Sequence, residues 1–181
     1  MSNLSKDKWI DLLLNDKEGF ETHKNNSTDE VIDLSEVELP SFEISDVNLD
    51  NVDFTGSTFS ETQFTNVNFT DTDFTSCDFT RCRFVECDFT NTTLYGADFS
   101  YAEVHYCNFQ DADMAGAILN EANLEESDFA LSENLSACRF DDGTIWPDSD
   151  KLPEDFDSTY SYDLSSLKDE EEEQGESDYM Y

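Results

Sequence analysis

The sequence predicts an all-β fold, a solenoid whose chain turns through four sides per coil, and three observations predict it. Apolar residues recur at every fifth position from Leu34, through Leu39, Ile44, Leu49 and Phe54, to Leu124 and Phe129 without one slip. Two residues before each of these centres, from Ser57 onward, stands a small residue or a valine, as at Thr62, Val67, Cys77 and Ala97. Two residues after each centre, positions twenty apart share a type: Gly56, Ser76, Gly96 and Gly116 in one series, Asn51, Asp71, Asn91 and Asp111 in another.

A period of five belongs neither to a helix, at about 3.6 residues per turn, nor to a strand, at about two. A chain that turns a corner every five residues produces it, and agreement at intervals of twenty makes four sides per coil. The coils then stack like parallel strands about 4.8 Å apart, with one large and one small side chain pointing inward from each side. Twenty centres make about five coils and a rod roughly 24 Å long. Gly, Asn and Asp tolerate positive φ, whereas the remaining corners carry bulky residues such as Arg81, Tyr101 and Glu121. That division predicts different turn types at different corners.

The flanks differ in character. Residues 1–30 predict a helical cap, amphipathic over 5–22, with Ser5 as N-cap and Trp9, Ile10, Leu13 and Leu14 on its apolar side. The repeat occupies 31–142, and after Phe129 its register slips by one, so that Leu135 and Phe140 become centres with Cys138 two before the latter. Residues 143–156 form a closing segment around Trp146, and 157–181 are acidic, serine-rich and dotted with tyrosine, a composition that stays disordered. The tail reads either as a solubilising segment or as one that docks on a basic partner.

The units VDFTG, TQFTN, CDFTR, ADFSY, ADMAG and ANLEE resemble those of the pentapeptide repeat proteins. The resemblance implies a right-handed quadrilateral β-helix over Leu34 to Phe129, closed by a Trp-Pro unit that covers the last coil. Some members dimerise through that end, which leaves a monomer and a C-terminal homodimer both open. The loops that project from quinolone-protecting members are missing, because the register runs unbroken.

Charge narrows the function. The 181 residues carry 44 Asp and Glu against nine Lys and Arg, a formal net charge of −35. Nucleic acid and anionic membranes are repelled as direct partners, and a basic protein surface is attracted. No apolar run approaches the roughly 18 residues that span a bilayer, and the amino terminus does not read as a secretory signal. A cytoplasmic location with reduced thiols is therefore expected.

Between Leu34 and Phe129, twenty acids face only Arg81 and Arg83. Duplex DNA of about 24 Å carries about 14 phosphates, a similar linear density. The resemblance implies a matching mechanism, that of members that inhibit DNA gyrase or topoisomerase by occupying the groove that holds DNA. A nuclease or restriction-type defence enzyme would be mimicked by the same surface. The acids expected to form it are Asp46, Asp50, Asp53, Glu61, Asp71, Asp73, Asp78, Glu86, Asp88, Asp98, Glu103, Asp111, Asp113, Glu121, Glu125, Glu126 and Asp128. Arg81 and Arg83 are expected to pair with Glu61 and Glu103 one coil away. Tyr95, Tyr101 and Tyr106, with His105, form an outward aromatic group on the fourth coil, either an interface hot spot or simple lateral stacking. The competing reading is a scaffold protein that binds through these rings or through the tail, without DNA mimicry.

Enzymatic chemistry, a cofactor and a metal are not expected. His23 and His105 are the only histidines, and no Gly-rich phosphate loop, G-x-S-x-G elbow or calcium loop is present. Cys77, Cys82 and Cys87 have the look of a ligand set, but their spacing is that of the repeat. Cys107 and Cys138 stand in the same small inward column, so all five read as soft core residues, with Cys87 and Cys107 neighbours on stacked coils.

Overall fold

The computed structural model describes residues 4–27 and 31–159. Its backbone bridges are all parallel and climb four separate ladders. The first side runs through Asp33, Asp53, Asp73, Thr93, Asp113 and Glu133, and the second through Glu38, Thr58, Asp78, Asp98, Ile118 and Arg139. The third passes through Glu43, Gln63, Arg83, Glu103, Asn123 and Ile145, and the fourth through Asn48, Asn68, Asp88, Asn108 and Asp128. The step is twenty residues until Glu133, which makes the fold a four-sided parallel β-solenoid.

The slip after Phe129 has a visible cause. Asn134 falls where the next centre belongs and takes φ 57°, and a 3-10 turn over Leu135–Ala137 brings Leu135 inward instead. The bridge Ile118↔Arg139 is accordingly one residue longer than the repeat, and Asn123↔Ile145 two.

Short strands mark the sides: β1 (Ile32–Asp33), β2 (Glu43–Asn48), β3 (Val52–Asp53), β4 (Gln63–Asn68), β5 (Arg83–Val85) and β6 (Glu103–His105). β2, β4, β5 and β6 form one sheet, which is the third side. The corners differ as expected, but not along the line between Gly, Asn or Asp and bulky residues. Positive φ occurs at every corner from Glu36 to Glu126, including Arg81 (57°), Tyr101 (62°) and Glu121 (57°). The turn is of type II: the amide after the corner closes back on the centre carbonyl, as Ser57 N–H does on Phe54 (3.0 Å) and Thr62 N–H on Phe59 (2.9 Å), and in this type the third residue is left-handed whatever its side chain. Variation appears instead at the corner between the third and fourth sides, where β2 and β4 continue through Asp46 and Asn66.

Inside, the centres stack ring on ring. Phe69, Phe89, Phe109 and Phe129 follow one another at centroid distances of 5.1, 4.7 and 4.2 Å, while rings on neighbouring sides meet edge to face, as Phe74 and Phe79 do at 5.1 Å. The small column does more than fill space. Ser57, Thr62 and Thr72 donate hydroxyl hydrogen bonds to the carbonyls of Leu34, Leu39 and Leu49, and the thiols of Cys77, Cys82 and Cys138 donate likewise to Phe54, Phe59 and Met114, each at 2.9 Å. Cysteine here is a hydroxyl substitute on a corner carbonyl. All five thiols are free and buried. Burial pushes those of Cys77, Cys82 and Cys138 up to about 12. Cys87 and Cys107 meet as stacked neighbours; their hydrogen bond holds Cys87 down, whereas burial raises Cys107.

The N-terminal cap is two helices, not one: α1 (Lys6–Asn15) and α2 (Lys17–Asn25). Asp16 breaks the expected single helix, leaving the helical region and accepting the Gly19 N–H at 2.9 Å as N-cap of α2. Ser5 caps α1 as expected. Trp9, Leu12, Leu13 and Phe20 are buried, Ile10 and Leu14 half-buried, and Trp9 meets Phe20 edge to face at 5.3 Å. Lysines fasten this cap to the first coil: Lys6 to Asp33 (2.8 Å), Lys17 to the Ser45 carbonyl (2.7 Å) and Lys24 to Asp50. At the other end Trp146 packs on Phe140 (5.1 Å) and Phe156 (4.7 Å) over the last coil. Of the tail expected over 157–181, all but 157–159 lies outside the described residues.

Two predictions follow from these contacts. Cys77→Ser should leave urea-unfolding stability within about 1 kcal/mol of the parent, because serine already does this work in the same column, whereas Cys77→Leu should cost about 1–3 kcal/mol by overpacking. Hydrogen bonds from Lys6, and then from Ser35, hold the Asp33 carboxyl at about 2. A carboxylate depressed below its usual value of about 3.9 adds stability above that pH and loses it as pH falls towards about 2. Lys6→Met should therefore be less stable than the parent at pH 7, and the gap should close between about pH 4 and pH 2. Trp9 fluorescence in a Trp146→Phe background reads this; a gap unchanged at pH 2 would refute it.

Candidate partner-binding surface

The expected acidic surface divides into two populations. Asp53, Asp73, Asp78, Asp88, Asp98, Asp113 and Asp128 each stand one residue before a centre and accept the N–H of the residue after it, at 2.8–3.1 Å. Asn68, Asn108 and Asn123 do the same from equivalent positions, at 3.0–3.1 Å. This is an Asx turn, in which the short side chain stands in for a backbone carbonyl. The aspartate of each D-F-T unit is therefore a part of the turn before it is a surface charge.

The second population sits on the corners. Asp46, Glu61, Asp71, Glu86, Asp111, Glu121 and Glu126 are exposed, in left-handed backbone that aims them away from the rod. Stacked neighbours tie several of them lightly: Asn66 donates to Asp46 at 2.9 Å, Ser41 to Glu61 at 3.2 Å, and Asn91 to Asp71. The bond from Asn66, then that from Ser45, lowers the Asp46 carboxyl. Glu125 is exposed on the third side, and Asp50 is taken up by the cap. Burial alone would raise the Asp50 carboxyl, but the Lys24 hydrogen bond and charge prevail and it is lowered.

The arginines behave differently from one another. Arg83 pairs with Glu103 one coil on, at 3.2 Å, as its spacing predicts. Arg81 does not turn to Glu61; its guanidinium lies 5.2 Å from the centroid of Tyr101, on the next coil in the opposite direction. An exposed ring face one rung away, at the same corner, attracts the cation, and Glu61 on the opposite rung keeps its bond from Ser41.

The aromatic group also separates. Tyr101 and Tyr106 stand at the two corners that bound the third side, with Glu103 and His105 between them. Tyr95 is exposed on the first side, so it does not share their surface. What marks the third side out is the residue before each centre. Glu43, Gln63, Arg83 and Glu103 replace the Asp or Asn that caps many of the turns elsewhere, where Thr58, Thr93 and Ile118 also depart, and the backbone of this side runs as strand. Reading that column at intervals of twenty in the sequence would have exposed the difference.

Among the described residues no three of His, Cys, Asp and Glu are placed to hold a metal ion, and no helix is long and apolar enough to cross a membrane. A cleft of about 360 Å³ at the C-terminal end is lined by Phe140, Asp141, Asp142, Thr144, Trp146, Ser158 and Thr159.

Comparison with known proteins agrees with this architecture. A family profile described as Pentapeptide repeats matches residues 43–81, 72–105 and 107–142. Among solved structures, the chain is similar to a pentapeptide repeat protein, Rfr23, from the cyanobacterium Cyanothece 51142, at 18% identity over 64% of this chain and 88% of that one, with a TM-score of 0.52. It is also similar to QnrB1, a plasmid-mediated fluoroquinolone resistance protein, at 18% identity over 57% of this chain and 67% of that one, TM-score 0.44. A pentapeptide repeat protein of the Arabidopsis thaliana thylakoid lumen matches at 27% identity over 43% of this chain and 61% of that one, TM-score 0.34. No curated protein matches the sequence significantly.

The two kinds of acid are separable by substitution. Asp98→Asn should keep the Asx turn and leave stability within about 0.5 kcal/mol, whereas Asp98→Ala should cost about 1 kcal/mol by leaving the Ser100 amide unpaired. Equal losses in thermal unfolding would show that the carboxylate charge, not the turn, matters there.

Proposed function

We propose that this chain, which belongs to the pentapeptide repeat family, is a non-enzymatic binding protein whose acidic rod occupies the basic groove of a DNA-handling enzyme. The observation that carries this reading is the run of corner carboxylates along the rod. Asp71 and Asp111 on one corner, Glu61 and Glu121 on another, and Glu86 and Glu126 on a third are exposed and recur at coil multiples. Rigid, regularly spaced anions are what a groove lined with Lys and Arg is built to receive. The fold fixes them before contact, so little ordering entropy opposes binding.

DNA gyrase and topoisomerase are the first targets to test, and a restriction-type nuclease offers the same groove chemistry. Inhibition and protection are two outcomes of the same occupancy: a filled groove excludes productive DNA and also excludes a poison that needs DNA there. Exposed Leu131 and Ile145 near the C-terminal end support a second copy docking at that end, which would lengthen the rod.

Binding of the full chain to purified gyrase should weaken by about tenfold or more between 50 and about 200 mM salt, and excess duplex DNA should displace it. A complex that survives excess duplex DNA would sink the mimic reading and leave the scaffold reading, in which the chain binds its partner elsewhere.

A further inference from the structure

The four sides of the rod are not equivalent. On the first, second and fourth sides, the outward Asp and Asn before the centres are largely spent on Asx turns. The third side is a sheet of strands β2, β4, β5 and β6, and before its centres only Asn123 caps a turn. Its outward side chains are thus the ones the fold least requires. They are also the ones that break the pattern of small polar residues.

Seven large apolar or aromatic side chains are exposed among the described residues, and four of them, Phe42, Tyr101, Tyr106 and Ile145, lie on this side or at its edges. Isolated exposed rings need no explanation, but concentration on one side of four does. Tyr101 is 54% and Tyr106 58% exposed. Glu86 and Glu126 stand one coil to either side of Tyr106 at the same corner, and Glu125 is exposed next to Glu126. A ring face ringed by carboxylates suits a guanidinium, which stacks on the ring while its N–H groups reach the oxygens. Among the described residues one such stacking occurs, Arg81 over Tyr101.

We infer that the third side is the recognition face of the rod, and that it takes an arginine-bearing segment of the partner protein across Tyr106 and Tyr101. The inference rests on the proposed function for the sign of the partner's charge, and goes beyond it by naming one side and two rings. The remaining sides supply long-range attraction, which brings a basic partner to the rod. The rings then fix where it settles.

Full-length, isotope-labelled protein titrated with a hexa-arginine peptide at about 0.15 M salt tests it. Amide shifts should concentrate at 83–86, 101–106 and 123–126. The double variant Tyr101→Asn, Tyr106→Asn removes both rings and no charge, and asparagine already occupies the latter corner as Asn66. It should weaken the peptide by roughly tenfold. Asp71→Asn with Asp111→Asn removes two charges from the corner between the fourth and first sides and should weaken it by about twofold or less. Shifts spread evenly over four sides, or a greater loss from the charge variant than from the ring variant, would overturn the inference. Displacement from gyrase by DNA is a separate readout: its failure with the peptide still mapped to the third side removes the mimic reading alone.

Discussion

Each side of the coil holds too few residues to satisfy its own backbone, so the amides one before, at and two after most centres find a carbonyl one coil away. Leu34 N–H reaches Asp53 O at 2.8 Å, Phe54 N–H reaches Asp73 O at 2.8 Å, and the pattern continues to Leu124 and Ile145. That dependence makes the fold quasi-one-dimensional, since a coil is only as ordered as its neighbours. It explains why both ends are capped by unrelated devices. Two helices fastened by lysines cover the first coil, and Trp146, Phe140 and Phe156 cover the last. It also explains the small inward column, whose hydroxyls and thiols reach the corner carbonyls.

The repeat was legible because burial repeats. A phenylalanine every five residues has one economical explanation, and Phe54, Phe79 and Phe109 lie where that spacing puts them. Corners were less legible, because left-handed backbone is imposed by the four-sided path of the coil and merely tolerated by the side chain. Gly56 advertises it, whereas Tyr101 and Arg81 conceal it. The break at Asp16 was hidden for a related reason: an aspartate that can ride along a helix can also cap the next one, and sequence periodicity does not choose between them. Pairing by spacing succeeded for Arg83 and failed for Arg81, since a coil offers two vertical neighbours and spacing names both.

The acidity has two origins that composition merges. Aspartate one residue before a centre serves the turn whether or not a charged partner exists, and asparagine serves in the same way, as Asn68 and Asn108 do. Glutamate on a corner serves no turn. Glu86, Glu121 and Glu126 are therefore the stronger pointers to a charged partner than Asp73 or Asp98, although all contribute to the same field.

The twenty-residue step ties position along the chain to compass direction around the rod. Losing or gaining one unit of five upstream of Tyr101 would rotate everything beyond it by a quarter turn and carry its rings from the third side to a neighbour, while leaving the buried column intact. Only changes in whole coils would preserve both the interior and its outward bearings. Where one side matters, such a chain can lengthen freely in steps of twenty residues and hardly at all in steps of five, so the interval between two members' lengths would itself record whether a particular side mattered.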